Sequence, residues 1–310
     1  MKVNLRTIIG ILGGVVMASC STTIDEPDTS QTPIQFGAAV SRAAVNDRGG
    51  MSSFSVWGGY QGVEDLFNAT LVDKNGTYSD GTRYWIPGKT FNFYAVHPAT
   101  LPESSVADVT DVAGNGIITV TGFDCSKTGA EAVDLMTAKK TGITYTSGSQ
   151  VQPVGLEFGH ELARVNIIVN SEAPNVTINS IAVTGVGYKG NYNNGQWDCT
   201  GFSDGQTPNT YTKTDVSLQQ NIESNIYGDM LLLPLASEKL SNSKLKIDYT
   251  YNDTGNKESK EISLATAGVT SWIKSNSYKY TLTIPKDSET LKLNVSVLPW
   301  DKQEDASIDW

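Results

Sequence analysis

Apolar and polar side chains alternate with a period of two along much of this chain. Ile34, Phe36, Ala38 and Val40 share one face while Gln35, Gly37, Ala39 and Ser41 share the other. Near the far end, Leu291, Leu293, Val295 and Val297 alternate with Lys292, Asn294 and Ser296. A strand turns successive side chains to opposite faces and a helix does not, so both segments read as half-buried strands. Phe91-Asn-Phe-Tyr-Ala-Val96, Ala163–Val169, Val176–Val183, Lys244–Tyr251 and Tyr278–Ile284 are rich in β-branched and aromatic residues and read the same way. Asn75-Gly76 and Asn194-Gly195 suit the positive φ angles of a tight turn and predict hairpins. No window keeps a helical period with caps at both ends; Asp134–Lys140 reads as a short helical turn or a strand. Many short strands joined by polar turns predict an all-β chain of antiparallel sandwiches.

The first residues have another purpose. Lys2 and Arg6 give a basic start, Ile8 to Ala18 form a short apolar run, and Ala18-Ser19 place small side chains before Cys20. This is the layout of a secretory signal peptide, too short for a bilayer-spanning helix of about 20 apolar residues. A signal ending at small-small-Cys resembles the bacterial lipobox, in which the cysteine thiol carries the diacylglycerol, so residues 1–19 are expected to be removed and Cys20 acylated. Each buried methylene contributes about 0.8 kcal/mol, so two or three acyl chains anchor a folded domain to outer-membrane lipid. Residues 20–32 are polar, acidic and interrupted by Pro27, as a flexible tether would be.

The 310 residues less the first 19 suffice for two domains, and Ser171-Glu-Ala-Pro-Asn175 is the best break. The expected division is an N-terminal sandwich over 33–170 and a C-terminal one over 171–310. A formal charge of -10, with no basic cluster, leaves no footprint for phosphate backbones and speaks against nucleic acid as a partner. Beyond Cys20 only Cys125 and Cys199 remain, so one intramolecular disulfide is available in an oxidising compartment; two unpaired buried thiols are the alternative.

Motifs of catalysis fail in context. Gly201-Phe-Ser203-Asp-Gly205 has the serine-hydrolase spacing, but Pro208 and a polar run follow where a helix is needed, and both His97 and His160 precede the serine. The two histidines lack metal-ligand companions at close spacing. Asp73-Lys-Asn-Gly76 begins like a calcium loop, yet its glycine comes too early and Tyr84 stands where a bidentate glutamate belongs. No catalytic residue, metal or cofactor is called for. Trp57, Trp85, Trp197 and Trp272 could stack on sugar rings, as in a monomeric glycan-binding surface lipoprotein, although sandwich tryptophans more often fill cores.

A family resemblance emerges from the order of the motifs. The lipobox cysteine is followed by Ile34-Gln-Phe-Gly37, Ser41-Arg-Ala43, Ser53-Phe-Ser-Val-Trp-Gly58 and Phe91-Asn-Phe-Tyr-Ala-Val-His-Pro98. Then come Asp134-Leu-Met-Thr-Ala138, Leu156–Asn166, Trp272–Ile284 and Val297-Leu-Pro-Trp300. This succession resembles the fimbrillin family of Bacteroidetes. The resemblance implies two tandem transthyretin-like β-sandwich domains, export as an outer-membrane surface lipoprotein, and assembly with other fimbrial subunits in a type V pilus or a related adhesin meeting a surface receptor or glycan.

In stalk members of that family an arginine-specific protease removes the first strand, and a neighbour's strand fills the groove. Here the strand bearing Ile34, Phe36, Ala38 and Val40 is followed by Arg42 and Arg48 in a polar, glycine-containing stretch. Cutting at either arginine would free a strand that supplies both ladder hydrogen bonds and buried side chains, a known setting for strand addition. In an anchor or tip subunit the strand would stay and Arg42 would be an exposed loop residue. Leu291, Leu293, Val295 and Val297 mark a final or donor strand, followed by an acidic tail with Asp301, Glu304, Asp305 and Asp309.

Overall fold

The computed structural model describes residues 31–40, 51–199, 209–286 and 290–300, and strands dominate it. First come β1 (Phe36–Val40), β2 (Ser53–Tyr60), β3 (Val63–Asp73), β4 (Thr90–His97), β5 (Val106–Thr110), β6 (Ile117–Asp124), β7 (Met136–Thr144) and β8 (Val154–His160). There follow β9 (Ala163–Ser171), β10 (Val176–Val186), β11 (Lys189–Asn193), β12 (Gln196–Asp198), β13 (Asn209–Leu218), β14 (Ser224–Asn225) and β15 (Met230–Leu232). The one-turn helix α1 (Ser237–Leu240) precedes β16 (Lys244–Tyr251), β17 (Asn256–Ser263), β18 (Asn276–Ile284) and β19 (Lys292–Pro299).

A six-stranded sheet of order β1-β8-β7-β4-β2-β3 is buried on both faces around β4. Phe91, Phe93 and Ala95 enter one core with Phe54, Val56, Leu156 and Phe158. Tyr94 and Val96 enter a second with Trp57, Ile118, Val120 and Tyr192. Burial on both faces explains why this strand reads as a nearly continuous apolar run. The second core lies against the sheet β12-β11-β6-β5, and Tyr78 and Trp85, from the segment after β3, pack on the first.

The sheets β14-β9-β18-β19 and β13-β10-β16-β17 share a third core. It holds Val165, Ile167 and Val169 of β9 and Tyr278, Tyr280 and Leu282 of β18. Strand pairing crosses residue 170 in both directions. β9 lies almost wholly before it yet pairs with β14, β15 and β18, whereas β11 lies after it and pairs with β6.

Two pairings depart from the antiparallel expectation: β1 with β8 and β9 with β18 are parallel. Each joins segments more than a hundred residues apart, so no hairpin constrains their direction. Asn194 and Gly195 close β11 onto β12 at φ of 47° and 97°. Asn75-Gly76 makes a turn but no hairpin. There Oδ1 of Asp73 accepts the amides of Asn75 (2.8 Å) and Thr77 (2.9 Å), and the chain leaves β3 without forming a strand against it. Asp134–Lys140 is not helical, because β7 begins at Met136.

Candidate functional site

Residues 32–36 lie between two backbones. On one side the amide of Trp85 donates to the Thr32 carbonyl (2.9 Å) and that of Ile34 to the Arg83 carbonyl (2.8 Å). On the other the amide of Val154 donates to the Gln35 carbonyl (2.7 Å), and β1 continues parallel to β8 from Phe36 opposite Val154 to Val40 opposite Phe158. Among the described residues β1 is an edge strand, with β8 as its one neighbour in the sheet.

Side chains reinforce this seat. Ile34 and Phe36 are 1% and 3% exposed. The Phe36 ring meets Phe67, Phe93 and Tyr78 edge-on, with centroids at 5.2, 5.5 and 6.0 Å. Ala38 and Val40 extend the ladder opposite Leu156 and Phe158; their side chains lie outside the described residues. Arg42, Arg48 and Cys20 also lie outside them.

The segment that faces β1 from the other side is held by its own contacts. The Tyr78 hydroxyl donates to the Ile34 carbonyl at 2.8 Å. Arg83 sits over the rings of Phe67 (4.8 Å) and Tyr78 (5.4 Å), pairs with Asp80 at 2.6 Å and donates through Nε to the Leu66 carbonyl at 2.7 Å. Burial pushes the Tyr78 phenol up, while the hydrogen bond from Arg83 holds Asp80 below the usual carboxylate range. Gly76, at φ +80°, passes so close that a Cβ there would collide with the Phe36 carbonyl oxygen. Tyr78 and Arg83 carry no signal in the sequence, because their segment is irregular and has no period.

At the other end of the chain, β19 is also an edge strand, paired with β18. Leu291, Leu293 and Val295 are half-buried against the third core, whereas Val297 is 40% exposed. Cys125 and Cys199 are free thiols. Cys125 is buried, donates to the Tyr188 carbonyl at 3.1 Å and is pushed up to about 12 by burial. Cys199 is half-buried in the same core.

The remaining candidates are packed or lie elsewhere. Trp57, Trp85 and Trp272 are buried, and half-buried Trp197 donates its indole N–H to the Glu161 carbonyl at 2.9 Å. His97 and His160, 63 positions apart, stand opposite the same residue, Met136, from either side of β7. Ser203 lies outside the described residues.

Comparison with known proteins agrees with this architecture. The fimbrillin-like family profile matches residues 44–300. A fimbrial protein from Bacteroides vulgatus superposes with a TM-score of 0.59 at 14% identity, covering 86% of this chain and 99% of that one. A protein described as a putative cell adhesion protein from Bacteroides uniformis does so at 0.54 and 18% identity, covering 89% and 100%. Another so described, from Bacteroides ovatus, does so at 0.54 and 13%, covering 88% and 99%. No curated protein sequence matches. With the family profile spanning most of the chain and the same all-β architecture in these structures, the chain belongs to the fimbrillin-like family.

Proposed function

We propose that this chain is a surface-anchored fimbrial subunit, tethered to outer-membrane lipid by acylated Cys20 until cleavage at Arg42 or Arg48 frees its first strand. A strand of a neighbouring subunit then takes that place, and head-to-tail repetition builds an open filament. The observation that carries the reading is the seat of residues 32–40: buried Ile34 leads into a parallel edge strand that buries Phe36 and ends two residues before Arg42.

The energetics suit an exchange. Burial of Ile34 and Phe36 contributes about 1.5–3 kcal/mol for each side chain, and each backbone hydrogen bond adds about 0.5–1.5 kcal/mol. A cut strand therefore stays in place until another replaces it. The incoming strand must run parallel to β8 and place apolar side chains two residues apart, where Phe67, Tyr78 and Phe93 wait.

The test uses the chain cut at Arg42 or Arg48 and cleared of its first strand. It should bind a synthetic peptide of residues 32–42 and, without peptide, form oligomers on native mass spectrometry; the uncut chain should do neither. A peptide carrying Phe36→Asp should fail to bind. A cut chain that stays monomeric and ignores the peptide refutes the proposal.

A further inference from the structure

Trp300 follows a strand of one sandwich and buries its ring in the core of the other. β19 packs on the third core, but Trp300, 6% exposed, belongs to the second with Leu162, Leu231 and Leu233. Its ring lies flat on the imidazole of His160, with centroids 4.1 Å apart and planes 7° apart. The backbone is tied at the same place. The Trp300 amide donates to the Ser275 carbonyl (2.8 Å), the Ser275 amide to the Leu162 carbonyl (2.9 Å), and the Ser275 hydroxyl to the His160 carbonyl (2.8 Å).

His160 is the last residue of β8, the strand that seats β1. Its imidazole is held by two neighbours, the Trp300 ring on its face and Asp134 at 2.7 Å from Nδ1. Nε2 of His160 and Oδ1 of Asp134 are buried and make no hydrogen bond among the described residues. Among the described residues no other polar group bonds the ring, so loss of the indole leaves Asp134 as its one polar tether and a void at the end of β8.

We propose that Trp300 is a lock that couples the two edge strands: when it withdraws, the C-terminal end of β8 loosens and β1 is released more readily. By linkage, displacing β1 loosens Trp300 and β19 to the same extent. The coupling does not depend on strand exchange between molecules, so it stands or falls separately from the proposed function. In a subunit that does exchange strands, it would tie the state of the acceptor groove to that of the C-terminal strand. A core-filling tryptophan without this role would stabilise the whole fold and favour neither edge.

The experiment is hydrogen exchange, read by mass spectrometry, on the full chain and its Trp300→Ala and Trp300→Phe variants. Trp300→Ala should speed exchange in β19 and, by about fivefold or more, in Phe36–Val40, while the β16–β17 pair keeps its protection. Trp300→Phe, which retains an aromatic stack, should fall between. If β19 opens while β1 stays within twofold of the parent, or neither strand responds, the lock is refuted. Should Trp300→Ala fail to fold, the β16–β17 control will show it, and the same comparison is then decided on Trp300→Phe.

Discussion

Glu161 and Lys274 meet at 2.7 Å where the two sandwiches join, and the Glu161 side chain is 5% exposed while that of Lys274 is 42% exposed. The other carboxylate oxygen accepts the Thr137 hydroxyl at 2.7 Å, and the Glu161 carbonyl accepts the Trp197 indole. One residue thus gathers contacts from β7, from β12 and from the segment before β18. Lys274→Met leaves a buried carboxylate without its ion-pair partner and is expected to cost about 2–3 kcal/mol, the low end for a broken pair because the lysine is partly solvated. Adding Glu161→Gln should restore much of the loss. Urea midpoints of the single and double variants check both statements.

Gly76→Ala tests the seat of β1 from its far side. The added methyl would meet the Phe36 carbonyl, and φ of +80° disfavours any other residue. The substitution should loosen β1 while the rest of the fold survives, so arginine-specific cleavage beyond Val40 should release the strand faster than in the parent. Unchanged release would mean that the approach of Gly76 does not hold β1.

Cys125 should be chemically silent in the folded chain. Its thiol is buried and pushed up to about 12, so almost no thiolate, the reacting form, exists at pH 8. Alkylation followed by intact mass should label Cys125 only after denaturant is added. Rapid labelling under native conditions would contradict its burial.

Burial draws His97 below the ordinary imidazole value, against a hydrogen bond at 2.9 Å with the Ser53 carbonyl that opposes the shift. The unfolded chain takes up this proton near pH ~6.5, the folded chain only at lower pH. Stability is therefore full above that value and falls as the pH drops through the depressed folded one. Urea midpoints should be higher at pH 7.5 than at pH 5.5, and His97→Phe should reduce the difference. An identical slope in the variant would assign it to other groups.

Individual strands were legible because burial leaves a local signature. Ile34, just ahead of the first strand, Phe36 within it, and Leu293 and Val295 of the last strand face a core at the period of two that their sequence displays. Irregularities hid other parts: in β10 the register shifts between Ile178 and Ser180, so Ile178 and Ile181, three apart, share one core. Apart from the hairpin that Asn194-Gly195 turns between β11 and β12, pairing partners were not legible. Nothing local in Phe36 announces Val154 as its neighbour, or Tyr78 and Arg83 as the walls of its seat, and Trp300 gives no sign that it caps β8 rather than its own sandwich. Such contacts are fixed by long-range packing, and the polar residues among them carry no period.

The central claim is that the first strand is a removable occupant of its groove. The most direct measurement is the N-terminal mass of the protein recovered from the cell surface. The account predicts a chain beginning at Ala43 or Gly49, the products of cleavage after Arg42 or Arg48. A population beginning wholly at acylated Cys20 would contradict it, leaving β1 as a permanent edge of the sheet.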